Sequence, residues 1–476
     1  MINISTFSRP VARWLGQNRL TLMKIAIVIT VLFSGAILAP QAALGSRKFV
    51  LLFFLGFGVF FLYGFLRWPV VGLILTMIAG FFIPFSGPGG FNVSELGIAG
   101  LLGVWFLDML VIKRNFRLVN SRTIPPLLLL ILLSIVSFGI GQLPWFVFAN
   151  HAPLKAQIGG LAVYLLSVGA FLLVAHLIQD QRWLERLTWI FLSIGAVYVF
   201  GSILGAPVDR FFIQNAVANS MFWTWLIALA FSQAVFNGHL RFYWRVLLFI
   251  LTLLVLYALV VINFDWKSGW VPALACLAAI IFSRHWRSLW VLAPFLVIPA
   301  IFYVANKAIS SDQYSWGTRL DAWFIVIEIG RVSPILGLGF ANYHFYTPLY
   351  SFRGFSGEFN SHSQYVDLFA QVGVVGLAFF LWFFGEIGYL GWWLRERVPE
   401  GFARAYVYAS LGGIVGTLAA GVLVDWVLPF VYNIGLEGFR SSVLAWIFMG
   451  GLVSLEQAVR SKTQVQGNIS LIQRSN

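Results

Sequence analysis

The chain alternates long apolar runs with short polar interruptions from one end to the other. A helix that crosses a bilayer needs about 20 mostly apolar residues. Fourteen stretches come close to that length: 22–39, 49–66, 68–86, 96–112, 124–142, 157–178, 184–204, 218–236, 245–262, 268–283, 288–306, 366–394, 404–428 and 441–458. The pattern predicts an all-α, polytopic transmembrane bundle of about 12–14 spans. The runs at 366–394 and 404–428 are long enough to tilt or to project beyond the bilayer.

One interruption is unlike the others. Residues 307–364 contain Tyr, Trp, Asn, Ser, Gly and both signs of charge, which predicts a loop subdomain. It separates an N-terminal bundle (1–306) from C-terminal spanning helices (365–458) and a polar tail (459–476). Within the loop, RLDAWFIVIEIGR at 319–331 sets Leu320, Trp323, Phe324, Val326 and Ile327 at helical spacing. An amphipathic helix lying along the membrane surface is expected there. The run SPILGLGFANY follows as a turn region. SFRGFSGEFNSHSQ then leads into the next span, with Asn360 or Ser361 as the expected helix cap.

Composition narrows the class. Hydrophobic residues make up 60% of the chain and charged residues 10%, against about 25% charged in a soluble domain. The net charge of +14 does not point to nucleic acid, because the basic residues sit in small groups between apolar runs. Positive residues are retained on the cytoplasmic side of a membrane. With the N-terminus inside, roughly two thirds of the 31 Lys and Arg fall on that side, including Lys113, Arg114, Arg117 and Arg122, and later Arg395, Arg397 and Arg404. Both termini are then cytoplasmic and 307–364 is outside. Arg9, Arg13, Arg19 and Lys24 precede the first apolar run as in a signal peptide, but a second run begins directly after Lys48, which favours a retained first span. The lone Cys276 lies in an apolar run and reads as packing. No acidic cluster, HExxH, Walker loop, CxxC or GxSxG is present, so metal-independent chemistry without a cofactor is expected.

A few polar residues stand out by context. Lys267 in DWKSGW sits at the outer mouth of a span between aromatics, Arg319 opens the amphipathic helix, and Arg210 precedes FFIQNAVANS. Their ordinary roles would be an interface anchor or a solvated charge. His362 lies in NSHSQYVDLF, where the positive end of a helix favours neutral imidazole and so a general base. A lone loop histidine is otherwise a simple hydrogen-bonding residue. Glu358 and Asp367 are rival bases or orienting partners, and Arg353 is a further candidate cation.

R319LDAW, P334ILGLGFANY and H362SQYVDLFAQVGVVGL together resemble the O-antigen ligase and polymerase family, in its order of Arg, Pro-x-x-Gly-x-Gly and His before a Gly-rich helix start. DWKSGW is similar to that family's Ser-Arg-Gly site, with Lys267 at or next to the Arg position, and FIQNAVANS to its Asn-containing start of an earlier span. Lys is a departure, since a point charge cannot make the planar two-pronged contact of Arg. The resemblance implies a GT-C-like fold in the bacterial cytoplasmic membrane. It also implies transfer of a glycan from a polyprenyl diphosphate carrier to a hydroxyl of a lipid or glycan acceptor at the outer face. Arg319, Lys267 and Arg210 would then bind the diphosphate and His362 would activate the acceptor. Two other readings compete: a transporter of a small solute such as inorganic carbon, and an assembly protein without catalysis. The transporter ranks lower because mid-span ionisable residues are few and the two halves of the chain are not alike.

Overall fold

The computed structural model describes Gly64 and residues 67–115, 117–292 and 313–475. The expected spans 22–39 and 49–66, and most of 288–306, lie outside these residues. Residues 69–476 form one compact unit. Its principal helices are α1 (Pro69–Phe82), α2 (Val93–Leu107), α3 (Ile124–Ile140), α4 (Leu154–Leu177), α5 (Gln181–Ile203), α6 (Ser220–Phe236), α7 (Phe242–Leu256), α8 (Lys267–Leu292), α9 (Gln313–Gly330), α10 (Gln364–Leu394), α11 (Phe402–Leu423) and α12 (Phe439–Ser475). Seven helices among the described residues are long and apolar enough to cross a membrane, and α1, α3 and α6 are shorter apolar helices. The protein is an all-α, polytopic membrane bundle, as its pattern predicts.

The centre of the bundle follows from small side chains. In α11 the sequence GGIVG lets Gly412 meet Cys276 and Ile280 of α8, Gly413 meet the Trp225 ring of α6, and Gly416 meet Thr224 and the Pro272 carbonyl. Such small-residue seams let helix backbones approach closely where lipid removes the hydrophobic drive to associate. Cys276 is buried in this seam, with Sγ 3.8 Å from the Thr224 carbonyl. On the other side of the bundle α12 packs along α4. α4 and the stretch 439–456 of α12 are buried on most of their surface, as expected for helical segments apolar all round.

α10 is the element that shapes the loop end. Its 31 residues would reach about 46 Å, but the helix is broken at Gly373, whose backbone lies at φ 72, ψ −177. A break frees carbonyl and amide groups that cannot be left unpaired away from water. The segment 334–339 supplies their partners. Leu338 N donates to Ala370 O at 2.9 Å and Gly339 N to Gln371 O at 3.0 Å, while Val374 N donates to Pro334 O at 2.8 Å. Ser137 Oγ of α3 adds a bond to Gln371 O at 2.6 Å. The Pro and Gly run expected to be a turn region is thus seated against the break in α10.

The helix expected at 319–331 forms as part of α9, but its apolar stripe divides. Ala322, Val326 and Ile329 are buried, the latter two in a cluster with Tyr343, Val366 and Phe430, because α9 packs on α10. Leu320 and Phe324 face outward, Phe324 at 72% exposure. The cap also differs from expectation: Ser363 takes the N-cap position of α10 without a side-chain cap bond. Ser361 instead turns its hydroxyl to Ser363 N at 3.1 Å and to Asp367 at 2.8 Å.

A Cβ at position 373 would overlap the Ile335 carbonyl, and the residue has positive φ. Gly373→Ala is expected to cost about 2–4 kcal/mol and to lower the melting midpoint of the detergent-solubilised protein by several degrees. Gly388→Ala, where nothing stands within 4 Å, is expected to leave the midpoint unchanged or slightly raised.

Candidate functional site

The start of α10 is fastened to the end of α11 by polar side chains. Gln364 accepts from Val427 N at 3.0 Å and Leu428 N at 2.8 Å, and its own backbone N–H donates to Val424 O at 3.2 Å. Tyr365 OH donates to Leu418 O at 2.7 Å. α11 therefore ends at Leu423, and 424–428, expected as the tail of a span, are a non-helical turn. This turn places Asp425 beside the first turn of α10.

Two buried carboxyls meet there. Asp367 and Asp425 are each fully buried and close enough to share a hydrogen bond. Asp367 also receives hydrogen bonds from Tyr343 OH and Ser361 Oγ. Tyr343 is buried, its ring stacked on Phe430 with centroids 4.9 Å apart. Asn433 donates its side-chain amide to Asp425 and sets the same nitrogen 3.4 Å from His362 Nδ1. Burial raises the Asp425 carboxyl to about 6, against the lowering effects of Asn433 and Arg319. A carboxyl raised on folding favours the protonated folded state, so its contribution to stability is present at low pH and lost as pH rises through about 6.

His362 stands at the mouth of this network. It occupies the left-handed region at φ 49, which is uncommon for a residue with a side chain and costs of order 1–3 kcal/mol. The turn is held from both sides, by Ser361 Oγ on Ser363 N and by Trp323 Nε1 of α9 on the Ser361 carbonyl at 2.7 Å. The ring is solvent-accessible, yet the protein around it is the main cause that holds its pKa below the ordinary 6.5, with the Arg319 cation adding to the effect. Neutral imidazole prevails at pH 7. Arg319 Nη1 donates to the Leu423 carbonyl at 2.8 Å, capping the last turn of α11.

The other expected residues separate into two groups. Lys267 opens α8, and the neighbouring Trp266 ring lies 6.4 Å from that of Trp426, beside Asp425. Ser220 Oγ at the start of α6 donates to Ser268 O. The DWKSGW and NAVANS segments therefore converge on the same end of the bundle as His362. Arg210 lies on the exposed turn Val208–Arg210, with no hydrogen bond or ion pair to the cluster among the described residues. Glu358 pairs with His344 Nε2 at 3.3 Å, and Arg353 with Asp321 at 2.7 Å. These two tie the loop to itself and to α9.

Residues 224–381, about a third of the chain, match a family profile described as O-antigen ligase. The family resemblance is shown over that stretch. No curated protein matches the chain. The matched segment contains Lys267, Arg319, His362 and Asp367, whereas Arg210, Asp425 and Asn433 lie outside it. Asp425 and Asn433 are the partners that sequence reasoning passed over. A signal was present: Asp425 is an ionisable residue inside an expected span, and such a residue marks a functional position.

Removing the Arg319 charge should raise the His362 pKa, while a Lys in its place should preserve most of the shift. In Arg319→Gln the pH of half-maximal carbethoxylation of His362, read by peptide mass spectrometry, is expected to move upward relative to the parent and to Arg319→Lys. An unchanged titration would remove the electrostatic link between them.

Proposed function

We propose that the protein transfers a glycan from a polyprenyl diphosphate carrier to an acceptor hydroxyl at the outer face of the bacterial cytoplasmic membrane, with His362 as general base. The observation that carries this reading is His362 held neutral in a strained turn beside the Arg319 guanidinium, within the O-antigen ligase segment. Both termini are assigned to the cytoplasm, by the distribution of Lys and Arg.

The chemistry balances as a single displacement. His362 takes the acceptor hydroxyl proton as that oxygen forms its bond to the anomeric carbon. The bond from the same carbon to the diphosphate oxygen breaks, and the configuration inverts. The leaving diphosphate gains charge, which Arg319 and Lys267 stabilise, with Arg210 at the rim drawing in the anionic donor. No proton need be given to such a leaving group.

Asn433 decides which imidazole nitrogen is bare. With Asp425 ionised, the amide NH2 faces both the carboxylate and Nδ1, and Nε2 carries the hydrogen. With Asp425 protonated, the turned amide accepts from both, and Nε2 becomes the base. With Asp425 at about 6 and Asp367 the proton holder of the pair, the first arrangement prevails at pH 7, and Nδ1 is the nitrogen that takes the proton.

The test is a reconstituted reaction with a polyprenyl diphosphate glycan and a panel of lipid and glycan acceptors. His362→Ala is expected to lose about 100-fold or more in transfer while retaining donor binding, and Arg319→Ala to lose both. On the acid side the rate should fall as His362 protonates, with an inflection below 6.5. Transfer undiminished in His362→Ala would defeat the proposal, as would loss of solute uptake with glycan left intact, the outcome a transporter predicts.

A further inference from the structure

α10 crosses the bundle, so its last turns lie at the end remote from His362. There the end of α10, the start of α3 and the middle of α12 enclose a cavity of about 700 Å³, inside the range of small-molecule sites, about 300–1,000 Å³. Its charged lining consists of three guanidinium groups, Arg122, Arg397 and Arg460, and two carboxylates, Glu386 and Glu456. The distribution of Lys and Arg assigns this end to the cytoplasm.

The two signs of charge are not equally accessible. Arg122 Nη2 donates to Glu386 Oε1 at 2.9 Å, and the Arg side chain is 67% exposed against 12% for the Glu. Arg460 donates to Glu456 Oε1 through Nε at 2.9 Å and Nη2 at 2.6 Å, with 45% exposure against 3%. The second oxygen of each carboxylate is buried. The carboxylates hold the guanidiniums in place from within the protein, and the charge that reaches the cavity is positive. Arg397 makes no ion pair among the described residues. Its Nη1 donates to the Trp393 carbonyl at 2.9 Å, and its guanidinium carbon stands 4.6 Å from the centre of the Trp393 ring. Arg122 is set in the same way over Tyr389, at 5.2 Å. Among the described residues Arg397 keeps Nε and Nη2, Arg122 keeps Nε and Nη1, and Arg460 keeps Nη1 as donors without a hydrogen bond. A guanidinium presents planar, forked donors that fit phosphate oxygens. The lining carries one more positive charge than negative, which matches the single negative charge of a phosphodiester.

We infer that this cavity binds a monoanionic phosphodiester, whose phosphate oxygens accept from Arg397, Arg122 and Arg460. The cytoplasmic leaflet displays such groups on anionic phospholipids, and basic pockets between spanning helices on that side bind their headgroups. A soluble glycerol phosphodiester offers the same chemistry. A zwitterionic headgroup has the phosphate too, but it brings its own cation beside the guanidiniums. The inference stands apart from glycan transfer, since it is read by binding.

The experiment is native mass spectrometry of the full-length protein released from nanodiscs of phosphatidylcholine, phosphatidylethanolamine and phosphatidylglycerol in equal amounts. A parallel arm titrates soluble glycerophosphoglycerol in detergent. Phosphatidylglycerol retained about fivefold or more over either zwitterionic lipid, on the order of 1 kcal/mol, is the expected result. Arg397 is exposed and unpaired, so Arg397→Gln keeps the fold, and it should bring the preference to within about twofold. Arg460→Gln combined with Glu456→Gln removes a guanidinium without stranding a buried carboxylate, and should lower the preference as well. Arg182→Gln, an exposed cation outside the cavity lining, should leave it unchanged. Binding of the soluble diester, lost in Arg397→Gln, without lipid selectivity would assign the soluble source. Equal retention of the three lipids with no binding of the diester would overturn the inference. So would a preference unchanged in both cavity variants, or one lowered as far by Arg182→Gln as by Arg397→Gln, the mark of diffuse surface attraction.

Discussion

The break in α10 at Gly373 is satisfied by the backbone of 334–339, and the loop end of the molecule is arranged around that pairing. A helix cannot end inside a bilayer or a dry protein core without partners for its freed groups. The partners here come from the loop that precedes the helix, so the loop is drawn down onto α10 instead of lying free above it. Asn342 strengthens the attachment, donating to Gly141 O and Leu338 O at 2.8 Å each and accepting from Ala152 N. Once 334–343 is seated, Tyr343 stands over Asp367 and α9 has a surface to pack against.

From that attachment the site acquires its chemistry. His362 is exposed enough to meet a substrate, and the groups that tune it are buried beneath it. The carboxyl pair, Asn433 and Tyr343 form a polar network in which the donors and acceptors largely answer one another, the condition under which such networks hold a side chain rigidly. Arg319 has two functions at once: it caps α11 through Leu423 and places a positive charge beside His362. The strained backbone at His362 is sustained because Ser361 and Trp323 hold the turn from opposite sides.

The long α10 joins two polar regions facing opposite sides of the membrane. At one end the residues converge on His362 and Arg319. At the other, guanidinium and carboxylate groups line a cavity. Helix ends at a bilayer surface have unspent backbone and charged groups within reach of headgroups and soluble substrates alike, which is why both regions fall there.

The all-α membrane class was fully legible, because apolar runs of bilayer length leave no other way to satisfy the backbone in lipid. Most helix positions were legible for the same reason, and Lys267 stood out at the mouth of a span, Arg319 and His362 within the polar loop. The break at Gly373 was not, since a glycine inside an apolar run has the same hydropathy whether the helix continues or stops. Nor was the pairing of Asp367 with Asp425, 58 positions apart and the second hidden in a run that reads as helix. The division of the 319–331 stripe into a buried and an outward face depended on what packs against it. Local pattern reports what a residue avoids. Which residue answers it across the fold is decided by the contacts that only the folded chain brings together.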